Sequence, residues 1–305
     1  MTLAAGDTLG PYEIVGTLGA GGMGTVYRAQ DTRLNRPVAI KVVGGTLTSD
    51  VDVLEREARA VAALNHPHIC ALHDLRREND LSFLVMEYVD GETLADRIAR
   101  GPLPLRDVLH YSIQIAEALD HAHKHGVLHR DLKPANIMLT RSGAKVLDFG
   151  LAMLQTGAAV QMPLDKTPTA YQQITSESTL LGTVHYVAPE RLEGRETTAV
   201  SDLFAFGAVV YEMCTGRRAF ESDSPAGVIA AILHSDPPRP STLRADVPAA
   251  LEWVTLKCLA KIPEARWQSA ADIVEVLRWI ARMQEPQVER VPAWRRAVPL
   301  AAMSA

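Results

Sequence analysis

The spacing of the apolar residues changes once along this chain, and that change narrows the folds open to it. Up to about residue 86 the period is mostly two. Tyr12 to Leu18, Thr25 to Ala29, Pro37 to Val43, Leu72 to Leu75 and Ser82 to Met86 read as strands. One interruption, Asp52 to Leu64, has Val53, Leu54, Glu57, Ala58, Val61 and Leu64 at helical spacing, after Ser49 and Asp50 as capping residues. Past Asp90-Gly91 the pattern turns helical, over Arg106 to His125, Ala199 to Thr215, Ala226 to Leu233, Pro248 to Leu259 and Ser269 to Ala281. The first of these is expected to turn Val108, Tyr111, Ile113, Ile115, Ala118 and Leu119 inward. Ala199 to Thr215 is apolar nearly all round, which predicts a buried central helix. The expectation is an α+β chain: a small β-rich unit with one main helix over residues 11–86, a connector over 87–90, and a larger, mostly helical unit over 91–283. Residues 1–10 and 284–305 read as an extension and a tail.

A hydrophobic share of 47% and a charged share of 22% suit a soluble chain with a sizeable core. The formal net charge of −5 argues against nucleic acid as the main partner. Cys70, Cys214 and Cys258 are odd in number, far apart and set in apolar stretches, so they read as reduced, buried thiols of a cytoplasmic protein. Met1 to Pro11 has neither a basic residue nor an apolar run, unlike a secretory leader. At the other end, Trp294-Arg295-Arg296 precedes nine uncharged residues, Ala297 to Ala305. That arrangement suits the cytoplasmic edge of a membrane helix in a longer protein, although the run itself falls short of the ~20 residues a span needs.

Gly19-Ala20-Gly21-Gly22-Met23-Gly24-Thr25-Val26 fits G-x-G-x-x-G-x-V. Glycines at Gly19, Gly21 and Gly24 suit a backbone whose amides approach phosphate oxygens. A dinucleotide-binding turn shares this spacing, but it opens a helix and has an acidic residue about 20 positions on. Here a strand follows, and the residue waiting downstream is the cation Lys41, in Val38-Ala39-Ile40-Lys41. A phosphate-covering hairpin fits better. A lysine among apolar neighbours needs a counter-ion. By helical phase Glu57 is expected to supply it, ahead of Glu55.

The densest signal is His129-Arg130-Asp131-Leu132-Lys133-Pro134-Ala135-Asn136, with Asp148-Phe149-Gly150 beginning twelve residues after Asn136. With these motifs in this order, the chain resembles the bacterial eukaryotic-like (Hanks-type) serine/threonine protein kinases over about Pro11 to Ala281. The resemblance implies a two-lobed protein kinase fold with ATP and Mg2+ in the cleft, and protein hydroxyls of serine or threonine as acceptors. It implies that Asp131 accepts the hydroxyl proton, that Lys133 neutralises the moving phosphoryl, and that Asn136 and Asp148 are the metal ligands. Lys41 then holds the α/β-phosphates. Leu18, Val26, Ala39, Met86 and Met138 enclose the adenine, and backbone groups of Glu87 and Val89 meet its edge. A homodimer through the small lobe and location at the cytoplasmic face of the plasma membrane are further implications.

The segment from Asp148 to Ala188-Pro189-Glu190 is long and rich in hydroxyls. Thr175, Ser176, Ser178 and Thr179 are its expected autophosphorylation sites, and the resemblance implies Arg130 as the phosphate receptor. Thr183 matches the threonine that bridges the catalytic Asp and Lys in such kinases. Glu190 and Arg266 match a buried ion pair, and Asp202 a residue that braces the catalytic loop. His121, His123 and His125 lack the glutamate or cysteine that would complete a metal site. A nucleotide-binding pseudokinase would typically lack Lys41, Asp131 or Asp148, and all three stand here. A small-molecule kinase would lack the Ala-Pro-Glu segment.

Overall fold

The computed structural model describes residues 3–21, 24–43, 51–78, 81–150 and 184–284. Thr175, Ser176, Ser178, Thr179, Thr183, the loop-tip Met23 and the tail from residue 285 on lie outside them.

The period of two builds one antiparallel sheet with the order β1-β2-β3-β4-β6-β5. Its strands are β1 (Thr8–Leu9), β2 (Tyr12–Gly21), β3 (Gly24–Asp31), β4 (Arg36–Val43), β5 (Leu72–Glu78) and β6 (Leu81–Glu87). Alternation sorts their side chains into two populations. Tyr12, Ile14, Tyr27, Ala29, Val38, Ile40, Phe83 and Val85 bury one face in a core of their own. Ala39, Leu84 and Met86 join the larger core on the other side, with Val26 packed against it. Helix α1 (Val51–Ala62) adds Ala58 and Val61 to that second core. Residues 1–10, expected as an extension, contribute Leu3 and Leu9 to the first core. Leu3 also donates its N–H to the Tyr27 hydroxyl at 3.2 Å. A two-residue strand carries no detectable period, so this strap leaves no mark in the sequence.

The second unit is helical: α2 (Leu94–Ile98), α3 (Leu105–Lys124), α4 (Pro189–Leu192), α5 (Ala199–Thr215), α6 (Pro225–His234), α7 (Pro240–Leu243), α8 (Ala249–Cys258) and α9 (Ala270–Gln284). A small sheet, β7 (Glu92–Thr93), β8 (Ile137–Thr140) and β9 (Gly143–Val146), sits at its top. The buried stripe of α3 runs through Val108, Ser112, Ile115, Leu119 and Ala122. Tyr111 and Ile113, expected inward, are only partly buried, because Ser112 takes the core position between them. Helix α5 is buried on every side, as its composition predicts. Gly216 ends it with φ +70°, a conformation that glycine enters without a Cβ penalty.

A buried ion pair fastens this unit. Arg266 Nη1 and Nη2 reach Glu190 Oε1 and Oε2 at 2.8 and 2.7 Å, and Ser201 Oγ donates to Oε1 at 2.7 Å. The guanidinium also donates to the carbonyls of Ala260 at 2.7 Å, Lys261 at 3.0 Å and Val200 at 3.3 Å. Burial pushes the Glu190 carboxyl up, but the hydrogen bonds from Arg266 and Ser201 outweigh it and leave the group below the ordinary range. A depressed carboxyl stabilises the fold above its unfolded pKa, and that contribution is lost as pH falls through the folded value. Arg266→Ala strands the buried carboxylate. It is expected to cost about 3–5 kcal/mol in urea unfolding at pH 7, with the difference from wild type shrinking as Glu190 becomes protonated at acid pH.

Candidate active site

Within the small unit, Ala39 faces Met86 across β4 and β6, and Val26 faces Lys41 across β3 and β4. These residues share the sheet face that looks away from the outer core. Gly24 must be glycine for a reason nearer than any ligand. Its φ is +104°, and a Cβ there would stand 2.3 Å from the Val42 carbonyl oxygen. Leu18 on β2 is half exposed, and Met138 on β8 pairs with Lys145 on β9.

The loop between α3 and β8 is held almost entirely through backbone groups. Asp202, buried on α5, accepts the N–H of His129 at 2.7 Å and of Arg130 at 2.8 Å. His123 Nε2 lies 2.9 Å from the same carboxylate. Burial pushes the Asp202 carboxyl up, and these partners more than reverse it, leaving it below the usual range. The His129 ring accepts the Asp131 N–H at Nδ1 (3.2 Å), so Nε2 is the protonated nitrogen that donates to the Leu147 carbonyl at 2.9 Å. Burial lowers the His129 pKa and keeps the ring neutral. Two non-glycine residues here have left-handed backbone: Arg130 at φ +66° and Asp148 at φ +59°. Such conformations cost about 1–3 kcal/mol each and persist only where neighbours hold them.

Asp131 is the focus of this loop. Its Oδ2 lies 2.9 Å from Lys133 Nζ and accepts from Asn136 Nδ2 at 3.0 Å. Asn136 Nδ2 also donates to the Asp131 carbonyl at 2.8 Å. With its amide hydrogens spent on Asp131, Asn136 keeps Oδ1 for a cation. The register of β8 and β9 brings Asn136 opposite Leu147, the residue before Asp148, and the Leu147 N–H donates to the Asn136 carbonyl at 2.8 Å. Asp148 Oδ2 receives Lys41 Nζ at 2.8 Å, and among the described residues Oδ1 is left for a further partner. Two hard oxygen donors on adjacent arms suit magnesium. Among the described residues no group of three or more His, Cys, Asp or Glu is arranged to hold a metal.

The pair expected between Lys41 and Glu57 is absent among the described residues. Lys41 is buried and takes Asp148 as its counter-ion, whereas Glu57 Oε2 lies 4.0 Å from Arg130 Nη1. Helical phase decides which carboxylate faces inward: Glu57 is more buried than Glu55, which pairs with Arg59 at 2.7 Å. Phase does not set how far α1 stands from β4.

One further contact of the connector was not legible. Lys145 Nζ binds both carboxylate oxygens of Glu87 at 2.6 and 2.7 Å, tying β9 to the connector. Glu87 Oε2 also accepts the Ala71 N–H at 3.2 Å, and the Glu87 N–H donates to the Ala71 carbonyl at 2.9 Å. Cys70 Sγ lies 3.6 Å from the Glu87 carbonyl oxygen, and burial pushes its thiol up to about 12, a residue of packing rather than reactivity. Val89 follows the end of β6.

Residues 12–278 match the model of the protein kinase domain family. The chain belongs to that family. It is 39% identical over 291 residues to the serine/threonine-protein kinase PknB of Mycolicibacterium smegmatis, a match covering 92% of this chain and 44% of that protein. It is 37% identical over 269 residues to the serine/threonine-protein kinase PrkC of Bacillus subtilis, covering 87% and 39%. The crystal structure of the Mycobacterium tuberculosis PknI kinase domain is similar, with a TM-score of 0.68 and 29% identity, covering 91% of this chain and 99% of that one. The chain thus spans less than half the length of the curated relatives it matches. The two-lobed, α+β expectation therefore holds: the six-stranded sheet is the kinase small lobe and the helical unit its large lobe. No helix among the described residues is long and apolar enough to cross a membrane.

Asp202→Ala would leave the His129 and Arg130 amides and the His123 ring without their acceptor in a buried place. The expected outcome is a loss of about 3 kcal/mol or more in urea unfolding, together with a drop in any phosphotransfer of at least about tenfold.

Proposed function

We propose that this domain is a serine/threonine protein kinase that transfers the γ-phosphoryl group of ATP, with magnesium, to hydroxyls of protein serine and threonine. The observation that carries the reading is the arrangement around Asp131: one carboxylate oxygen bound by Lys133 Nζ and Asn136 Nδ2, in a chain that also pairs Lys41 with Asp148.

In this reading Asp131 accepts the proton of the substrate hydroxyl as that oxygen bonds to the γ-phosphorus. The bond between the γ-phosphorus and the β–γ bridging oxygen breaks, and ADP leaves. Lys133 neutralises charge on the group in flight. Asn136 and Asp148 would hold magnesium, which when bound offsets the phosphate charge. Lys41 is near enough to the metal ligand Asp148 to hold the α/β-phosphates beside it. The backbone of Gly19, Gly21 and Gly24 covers the phosphates. Leu18, Val26, Ala39, Met86 and Met138 enclose the base, and the connector at Glu87 and Val89 meets its edge. Exclusion of water by lobe closure completes the site. Attachment to the cytoplasmic face of a membrane in a longer protein is supported by Trp294-Arg295-Arg296 and the uncharged run after it. A dimer through the small lobe rests on the family resemblance.

Labelled ATP and magnesium test the activity. The wild-type chain should incorporate phosphate on serine or threonine, including Thr175, Ser176, Ser178 or Thr179, and Asp131→Asn should lose at least 99% of it, about 3 kcal/mol in barrier. Nucleotide binding without any transfer to the chain or to casein would replace this reading with that of a nucleotide-dependent switch. Changing those four hydroxyl residues to alanine with no loss of activity would remove their regulatory role.

A further inference from the structure

Arg130 holds its left-handed backbone immediately before Asp131. Its N–H is bound by Asp202 Oδ1 at 2.8 Å. Its carbonyl, the other half of the constraint, accepts from Arg191 Nη1. We propose that Arg191 is a positioning residue for Asp131, acting through the Arg130 carbonyl. The proposal rests on the reading of Asp131 as the catalytic base.

Three observations carry it. The first is the geometry of restraint. A backbone φ outside the common regions holds only when both neighbouring peptides are fixed. Asp202 fixes the peptide before Arg130, and Arg191 on the carbonyl, with the His129 ring on the Asp131 N–H at 3.2 Å, fixes the peptide that joins Arg130 to Asp131. The second is that Arg191 has a firm base. It is the third residue of α4 (Pro189–Leu192), whose Glu190 is gripped by Arg266 and Ser201. The Arg191 N–H itself donates to the Ala188 carbonyl at 3.0 Å. The third is charge. Arg191, Arg130, Asp131 and Asp202 line one small cavity beneath the loop. Burial lowers the Arg191 pKa, the anions Asp131 and Asp202 work against that, and the cation Arg130 adds to it. A guanidinium can donate to a carbonyl and face two carboxylates at once, because its donors form a rigid planar fork. Lysine offers the charge and donors on a single nitrogen without the fork, and methionine offers only the stem.

The position of the base thereby depends on α4, the turn that ends the Ala188-Pro189-Glu190 segment. Loss of the Arg191 donor should lower the rate of transfer without weakening nucleotide binding, since among the described residues the hydrogen bonds that Arg191 donates go to Arg130 and Ala188 and not to a residue assigned to the nucleotide.

The test uses the full chain with ATP, magnesium and dephosphorylated casein as acceptor. Arg191→Ala and Arg191→Met are each expected to lower kcat about 10- to 100-fold, the loss of a charged hydrogen bond. KM for ATP should stay within about twofold, and the urea midpoint near that of wild type. Arg191→Lys should recover most of the lost kcat. Arg191→Met keeps the packing of the stem and carries the test alone if the alanine variant does not fold. Wild-type kcat in Arg191→Met overturns the proposal. So does a loss of kcat that comes with a raised KM and a lowered midpoint and is not relieved by lysine, since that is the pattern of a purely structural residue. Asp131→Asn is run beside them. If it is inactive while the Arg191 variants are normal, only the positioning role falls. If Asp131→Asn keeps wild-type activity, the reading of the site falls and the positioning role falls with it.

Discussion

The loop from His129 to Asn136 depends on a carboxylate that is not among the groups proposed to meet the nucleotide. Asp202 sits on α5, a helix buried on all sides, and spends its oxygens on the amides of His129 and Arg130 and on the ring of His123. A buried carboxylate is stable only when donors replace the lost water. Those donors must therefore stay in place, and the loop takes on the rigidity of the helix. The left-handed turn at Arg130 is maintained by this restraint. Asp131, the proposed base, follows directly, with its own N–H held by His129, so it is aimed by backbone geometry before any contact of its own side chain is counted.

The other half of the site is built by alternation. One strand, β4, places Val38 and Ile40 in the outer core and Ala39 and Lys41 on the opposite side. Lys41 is thus carried into the interior by the same periodicity that buries its apolar neighbours, and it has to find a carboxylate there. Asp148 supplies it at 2.8 Å across the gap between the two lobes. The segment from His68 to Cys70 adds a second link. Val146 donates its N–H to the His68 carbonyl at 2.9 Å, and Cys70 donates its N–H to the Val146 carbonyl at 2.8 Å. The ion pair of Glu87 with Lys145 adds a third. Helix α1 is bound less tightly to the cleft, since Glu57 reaches Arg130 only at 4.0 Å.

Much of this was legible because it is local. Strand and helix positions follow from period, and every long helix lies within about three residues of its expected ends. Asp131, Lys133, Asn136 and Asp148 were singled out by two short motifs, and the roles proposed for them came with the family resemblance those motifs carry. The pair of Glu190 with Arg266, separated by 76 positions, was legible only through the family resemblance. His123 shows the opposite case. By composition it is one of three histidines at a helix end, and nothing in its neighbours announces the buried Asp202 that it meets from 79 residues away. Lys145 is hidden in the same way, as one charged residue in a short strand.

The sequence alone therefore determined the class of the fold and the order of its elements, since periodicity is a property of neighbouring residues, and its motifs singled out the groups proposed to react. Tertiary structure decided which charges meet. Whether Lys41 pairs with Glu57 or Asp148 turns on a separation of helix and strand that no local pattern encodes. Whether Arg191 reaches the carbonyl before the base turns on how α4 docks beside α5. Coulomb energy and hydrogen bonding fall off over a few ångströms, so these choices belong to the packing of distant segments and not to the order of residues along the chain.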